Sequence, residues 1–92
     1  MLKRKFEIKD VIVSDTIPEE IYSEISSKLI EYSIGIWGDI SPGVKKHNKE
    51  VLKLREGVII GSYMINNYTV YFFTDLDTKQ TLIIPAIDLI IK

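Results

Sequence analysis

Two aspartates and two threonines lie close together in one short polar segment of the chain and could form a cation site. They are Thr74, Asp75, Asp77 and Thr78. Mg²⁺ and Ca²⁺ require several converging oxygen ligands, and this segment lacks the glycine that shapes a ligand-bearing loop. Aspartate side chains in turns also accept hydrogen bonds from the backbone two residues further on. We therefore predict a turn here, with no metal ion and no other cofactor.

His47 is the only histidine in the chain, and cysteine is absent. Histidine clusters, thiolate metal sites and thiol nucleophiles are therefore excluded. His47 could serve as a general base beside Asp39 or Glu50, although a solvated position on a helix explains it more simply. The G-x-S-x-G, Walker and H-E-x-x-H motifs do not occur. We predict no catalytic residue and a protein that is not an enzyme; a hydrolase or nuclease without a recognisable motif is the less favoured alternative.

Basic residues cluster after position 44 and form a candidate surface for nucleic acid. They are Lys45, Lys46, Lys49, Lys53 and Arg55. Positions 45, 49 and 53 are four residues apart, which aligns them on one face of a helix as a lysine ridge that can contact phosphates. The aromatic strands that follow superficially resemble the base-stacking sheet of RRM domains. The order of the elements and the lack of an RNP-like motif argue against that fold, so nucleic acid is the alternative partner.

Acidic residues dominate the segment before these lysines. Residues 10–40 carry seven acids against one lysine, whereas residues 41–55 have a net charge of +4. Such segregation can steer association, and it can equally serve solubility alone. Trp37 lies between Gly35 and Gly38 and is either a cap on the core or a binding anchor, because tryptophan is enriched at binding hot spots. We predict that one surface of this chain binds a protein partner. Its residues are Glu20, Glu24, Glu31, Trp37 and Asp39.

A β-meander must position these candidate residues. Its three strands are predicted at Val58–Ile65, Tyr68–Thr74 and Thr81–Ile84. Asn66 and Asn67 between the first two strands fit a type I′ turn, because asparagine tolerates positive φ. Pro85 should end the third strand, since proline cannot donate a hydrogen bond to a ladder.

The residues before the meander predict one strand and two helices. Lys3–Val13 is typical of a strand, with a bulge near Asp10. Thr16 and Glu19 fit a capping box at the start of the first helix. The apolar residues of this helix recur at helical spacing. They are Ile21, Ile25, Leu29 and Tyr32, and the helix should end near residues 33–35.

Ser41, followed by Pro42, predicts the start of the second helix, which should run to about Arg55 with Gly57 just beyond its end. A short apolar tail, Ala86–Ile91, fits a further strand or a helical turn. We therefore predict a single α+β domain over residues 1–92. It contains a small antiparallel sheet of three to five strands in a β-α-α-β-β-β order, with two helices packed mainly on one face.

Both faces of the predicted meander are apolar. Val58, Ile60 and Met64 should lie on one face, and Ile59, Tyr63 and Ile65 on the other. A single antiparallel sheet commonly turns one face to water, and the two helices can cover only one. The second face must meet the N-terminal strand and tail, another subunit or a partner. We expect a homodimer, because self-association is common for an exposed apolar sheet face.

The cellular location follows from features that the chain lacks. The first residues are basic, but no apolar segment follows them, so we expect no secretory signal. The longest apolar runs are too short to span a bilayer. We expect a cytoplasmic protein that has no membrane partner.

A set of short motifs runs from Trp37 to Pro85. They are Trp37-Gly38-Asp39, Asn48, Leu52, Ile60-Gly61-Ser62-Tyr63, Phe72-Phe73-Thr74-Asp75, Asp77, Thr81 and Ile83-Ile84-Pro85. The pattern resembles short plasmid-related proteins encoded on bacterial plasmids and other mobile elements. Members of that family often carry arginine directly after the aspartate in the second turn, where this chain has Thr78.

The resemblance implies a genomic setting in which small proteins often antagonise host restriction or CRISPR systems by binding. The resemblance carries no activity beyond that setting. From the setting and the lack of catalytic motifs, we predict a non-enzymatic protein-interaction module of mobile-element origin that inhibits a host defence system, of the anti-restriction or anti-CRISPR type. The alternative is a small nucleic-acid-binding accessory protein that uses the lysine ridge of Lys45, Lys49 and Lys53.

Overall fold

The computed structural model describes residues 3–90 and has the predicted α+β architecture. Its elements in chain order are β1 (Asp10–Val13), a 3₁₀ turn (Glu19–Ile21), α1 (Tyr22–Ser33), α2 (Pro42–Leu54), β2 (Val58–Ile65), β3 (Tyr68–Asp75), β4 (Gln80–Pro85) and α3 (Ile87–Ile90). The predicted tail forms the helical turn α3, and its last residue, Ile91, lies outside the described residues. None of the helices within residues 3–90 is both long and apolar enough to cross a membrane.

The four strands form one mixed sheet in the order β1-β4-β3-β2. β2, β3 and β4 pair antiparallel as the predicted meander, whereas β1 pairs parallel to β4. Between β1 and β4 the chain passes through both long helices and through β2 and β3, and such a long connection permits parallel pairing. The N-terminal strand therefore extends the sheet at one edge and does not fold over its second face.

β1 is shorter than the strand predicted over Lys3–Val13. The N–H of Lys5 donates to Ser33 O at the end of α1 (2.7 Å), and Phe6 is buried in the core. The preceding segment is therefore held by α1, and strand pairing begins only at Asp10.

The turns of the meander follow the local sequence closely. Asn66 and Asn67 have φ values of 48° and 69°, as a type I′ turn requires. In the second turn, the carboxylate of Asp75 accepts a hydrogen bond from the N–H of Asp77 at 2.8 Å. The prediction of turn chemistry at these aspartates is confirmed. β3 ends one residue later than predicted, and β4 begins one residue earlier and ends one residue later.

The helix ends confirm one predicted cap and correct two others. Ser41 Oγ accepts a hydrogen bond from Val44 N (3.2 Å), with Pro42 at the first helical position. At the other end, α2 stops at Leu54, and Arg55 ends the helix in the left-handed conformation, two residues before the Gly57 that was predicted to follow its end. The capping box at Thr16 is also wrong, because the 3₁₀ turn has Pro18 at its N-cap and no side-chain cap hydrogen bond, and the Thr16 hydroxyl donates to Asp88 Oδ2 at 2.7 Å.

The core lies between α1 and the inner face of the sheet. Its sheet residues alternate along the strands and include Ile59, Tyr63, Ile65, Val70, Phe72 and Ile83. Tyr32 of α1 packs edge-to-face on Phe72 and on Phe6, with ring centroids 5.2 and 5.1 Å apart. Gly61 makes room for this ring, because a Cβ there would lie 2.8 Å from Tyr32 Cδ1.

A hydroxyl ladder crosses this core and fixes α1 on the sheet. Tyr32 Oη donates its only proton to Ile59 O (2.9 Å), so it accepts from Thr74 Oγ1 (2.8 Å), which in turn accepts from Thr81 Oγ1 (2.7 Å). Every hydroxyl in the ladder is thus satisfied. Burial raises the pKa of Tyr32 above its ordinary value.

Candidate functional site

His47 has a structural partner. Its Nε2 lies 2.9 Å from Val58 O, and a carbonyl can only accept, so Nε2 carries the proton and donates. The hydrogen bonds of the described residues include none between this imidazole and Asp39 or Glu50. Within residues 3–90 there is also no group of three His, Cys, Asp or Glu side chains able to hold a metal ion.

The lysine ridge forms on α2 with its predicted spacing. Lys45, Lys49 and Lys53 are exposed, as is Lys46, and none of them takes part in an ion pair with another described residue. Arg55 differs from them, because its guanidinium donates to Lys5 O at 3.0 Å. This arginine therefore anchors the N-terminal segment at the end of α2.

The acidic residues of α1 and the adjoining 3₁₀ turn do not form one uniform surface. Glu20 and Glu24 are exposed. Glu31 is half-buried and forms an ion pair with Lys28 (3.3 Å), whose Nζ also lies 5.8 Å from the centre of the Tyr63 ring. Burial, and then the charge of Glu31, raise the pKa of Tyr63.

Trp37 lies in the core with 5% of its surface exposed. The role of an exposed interface anchor that we predicted for it is therefore not supported, and Trp37 is the cap on the core. Its Nε1 finds no hydrogen-bond acceptor among the described residues. Asp39, by contrast, is exposed and two residues further along the same loop.

The loop of Trp37 pairs with the edge of β2. Ser62 N donates to Trp37 O (3.0 Å), and Asp39 N donates to Ser62 O (2.7 Å), which makes a short parallel bridge. Gly38 is needed for this approach, because it has a φ of 77° and a Cβ there would lie 1.9 Å from Ser62 O.

Side chains of α2 close the rest of the same edge. Asn48 is fully buried; its amide donates to Ile60 O (2.7 Å) and accepts from Ile60 N (3.0 Å). His47 bonds the carbonyl of Val58, two residues before. We call the β2 edge from Val58 to Ser62 the closed edge, since Val58 O and the outward N–H and C=O groups of Ile60 and Ser62 bond α2 or the loop of Trp37.

Sequence reasoning missed Asn48 as a structural residue. Its helical position is four residues after Val44 and three before Val51, so it interrupts the apolar stripe of α2. A polar residue on an apolar helix face is the signal that could have identified it. Its amide then supplies both a donor and an acceptor, as a neighbouring strand would.

The other face of the sheet remains accessible, and we call it the open face. Its apolar residues are Ile12, Val58, Ile60, Met64, Tyr71, Phe73, Leu82 and Ile84. Four of them are exposed, from 37% for Val58 to 60% for Met64, and the others are half-buried. The rings of Tyr71 and Phe73 stack with centroids 6.0 Å apart.

The strand register orders the open face into rows across the sheet. Ile12, Leu82, Phe73 and Ile60 are neighbours in one apolar row. The adjacent row, at one end of the sheet, consists of Asp10, Gln80, Asp75 and Val58. The strand positions of this face thus hold two carboxylates and no lysine or arginine, which disfavours contact with nucleic-acid phosphates.

Comparisons with protein families, with curated proteins and with solved structures found no match. The resemblance to mobile-element proteins therefore stays a prediction.

Proposed function

We propose that this chain is a protein-binding module that acts without catalysing a reaction and contacts its partner through the open face. The observation that carries the proposal is the accessible apolar row of Ile12, Leu82, Phe73 and Ile60, in which Ile12 and Leu82 are exposed and the other two are half-buried. Contiguous apolar patches of this kind mark interaction sites on soluble domains. The closed edge and the buried inner face are already occupied by contacts within the chain.

The charges of the open face indicate the chemistry of the partner. Asp10 and Asp75 lie at one end of the apolar rows. A matching protein surface has an apolar centre with lysine or arginine on the side that meets these carboxylates, because complementary charges favour the correct orientation. The same carboxylates oppose a nucleic-acid backbone.

The size of the open face predicts a contact of moderate strength. Four strands spaced about 4.8 Å apart, each presenting about three residues, give a patch of roughly 400 Å². Standard interfaces bury about 800 Å² on each partner, so this face alone suits a reversible complex. Inhibition of a host defence complex is the biological role that we propose, and it rests on the resemblance to mobile-element proteins.

Photo-crosslinking in the native host tests the contact surface. A benzoylphenylalanine at position 73 lies on the open face. The same group lies on the lysine ridge when it replaces Lys49, and on α1 when it replaces Glu24. We expect a discrete protein adduct from position 73. Adducts only from positions 24 or 49 would contradict the proposal.

A matched pair of variants then measures the contribution of the face to binding of the crosslinked protein. Phe73→Asp should weaken that binding at least tenfold, since it places a charge in the apolar row. Leu54 is 65% exposed on α2, outside the sheet, and Leu54→Asp should leave the affinity unchanged. Equal effects of the two substitutions would show that the open face is not the contact.

Nucleic-acid binding is the second candidate function, and the exposed four-residue spacing of Lys45, Lys49 and Lys53 on α2 supports it. If it is correct, a labelled DNA or RNA duplex should bind in low salt and dissociate steeply as salt rises. Replacing the three lysines with glutamate should abolish that binding. The open-face proposal predicts no such salt-dependent complex.

A further inference from the structure

β1 presents a strand edge whose outward backbone groups are unpaired within residues 3–90. Ser14 N donates to Ile83 O at 2.9 Å, and backbone directions alternate along a strand, so Ile12 faces β4 while Val11 and Val13 face outward. No hydrogen bond from another described residue reaches the outward N–H and C=O groups of Val11 and Val13. We call this the open edge. We infer that it pairs antiparallel with the open edge of a second copy, so that two sheets join into one of eight strands.

Hydrogen bonding selects one register for this pairing. A twofold axis at Ile12 places Val11 opposite the partner's Val13, and the two symmetric pairs make four backbone hydrogen bonds. An axis at Val11 would place Val13 opposite the partner's Lys9, whose N–H already donates to Lys79 O. An axis at Val13 would place Val11 opposite the partner's Asp15, which lies in a turn. Either register therefore keeps only two of the four backbone hydrogen bonds. The register centred on Ile12 therefore satisfies every outward group of the open edge.

The same register is complementary in charge. It places Lys9 opposite the partner's Asp15, and the symmetry produces this pair twice. Both side chains are exposed, and neither belongs to an ion pair among the described residues. A foreign strand could use the open edge, but the reciprocity of Lys9 and Asp15 favours a second copy as the occupant.

Exposed apolar side chains flank the open edge on both sides of the sheet. On the open face, Ile12 is 46% exposed and would meet the partner's Ile12 at the axis. On the helix side, a groove between β1 and α1 is lined by Val11, Val13, Tyr22, Ile25, Ser26 and Leu29. Joining two copies brings these grooves together, and burial of Tyr22 and Val11 adds apolar area to the backbone hydrogen bonds.

Sedimentation of the full chain across the micromolar range tests the inference. We expect wild-type protein to form a dimer as concentration rises, and Val11→Pro to remain a monomer with an unchanged far-ultraviolet spectrum. Proline removes the outward N–H of Val11 without removing a bond to β4. Val11→Thr keeps both the N–H and the β-branched shape, so it should dimerise like wild type.

Charge reversal provides a test that does not depend on tolerance of proline. Lys9→Glu and Asp15→Lys should each raise the dimer dissociation constant about tenfold, because each change places like charges together at two symmetric positions. The double variant Lys9→Glu/Asp15→Lys should restore it to within about twofold of wild type. Failure of the double variant to recover, or a wild-type monomer throughout the range, would overturn the inference.

The open edge uses the backbone groups of Val11 and Val13 and shares only Ile12 with the open face, so this inference goes beyond the proposed function and does not rest on it. Phe73 lies in β3, which β4 separates from β1. Phe73→Asp should therefore leave the dimer intact while it weakens partner binding. Dissociation of the dimer by Phe73→Asp would show instead that two open faces form the contact between copies.

Discussion

The two edges of the sheet differ in how their backbone groups are satisfied. At the closed edge, His47 bonds the carbonyl of Val58, and Asn48 and the loop of Trp37 bond the outward groups of Ile60 and Ser62. At the open edge, the described part of the chain offers no equivalent partner to Val11 and Val13. Unpaired edges recruit further strands, and closing one of them leaves a single direction for association. Two copies then satisfy the backbone groups of each other's open edge. A chain with two open edges would instead add further copies at both sides and form a fibre of unlimited length.

The largest effect should come from the residue that lets the loop reach the closed edge. Gly38→Ala puts a Cβ 1.9 Å from Ser62 O at a residue with a φ of 77°. The substitution combines backbone strain with a steric clash, and we expect it to reduce the free energy of unfolding by about 3–5 kcal/mol. Denaturant titration measures the loss.

Gly43→Ala is the matched control for this change. Gly43 lies in the first turn of α2, and the nearest atom to an added Cβ is Ser41 Oγ at 3.9 Å. This variant should be as stable as wild type or slightly more stable. Gly38→Ala should also form assemblies larger than a dimer, because its second edge is released. If both glycine variants unfold at the same denaturant concentration, the closed edge does not depend on Gly38.

A smaller loss should follow from Asn48→Ala. The substitution leaves both the N–H and the C=O of Ile60 without the amide that now bonds them in the buried interface. Each unsatisfied group costs about 1–3 kcal/mol, and water entering the gap recovers part of it, so we expect a loss of about 2–4 kcal/mol. Lys49→Ala, at the adjacent exposed position, should change stability by less than about 0.5 kcal/mol. If Asn48→Ala loses as little stability as Lys49→Ala, Asn48 does not hold the closed edge.

Local signals in the sequence predicted the turns of the meander and the N-terminal cap of α2. The positive φ of Asn66 and Asn67, the Ser41 cap and the Asp75 turn depend on neighbouring residues only, and all were predicted. Alternation of apolar residues likewise predicted the two faces of the meander. These features depend on chemistry within a few positions of the chain, which a single sequence contains.

Contacts between distant segments were not predictable in the same way. The parallel pairing of β1 with β4 joins residues about seventy positions apart, and no local preference distinguishes it from a strand folded over the sheet. Trp37 in a glycine-rich loop fits both an anchor and a core cap, and only its burial in the fold decides between them. The candidate surfaces depend on these long-range contacts, so the open edge became visible only in the fold.

The smallest effect should come from His47→Ala. Its single hydrogen bond to Val58 O lies at the exposed end of the closed edge, so we expect a loss of about 0.5–1.5 kcal/mol. His47→Gln, whose amide can also donate, should recover part of that stability. Thermal unfolding of the three proteins measures the difference. A loss larger than that of Asn48→Ala would reverse the order of importance that burial indicates along this edge.

Residue-resolved amide hydrogen exchange at two protein concentrations tests the difference between the edges most directly. We predict slow exchange of the Ile60 and Ser62 amides at both concentrations, because the amide of Asn48 and the carbonyl of Trp37 accept from them within one chain. The Val11 and Val13 amides should exchange rapidly in dilute solution and slowly in concentrated solution, as the open edges pair. Rapid exchange of Ile60 and Ser62, or exchange of Val11 and Val13 that does not depend on concentration, would contradict the account.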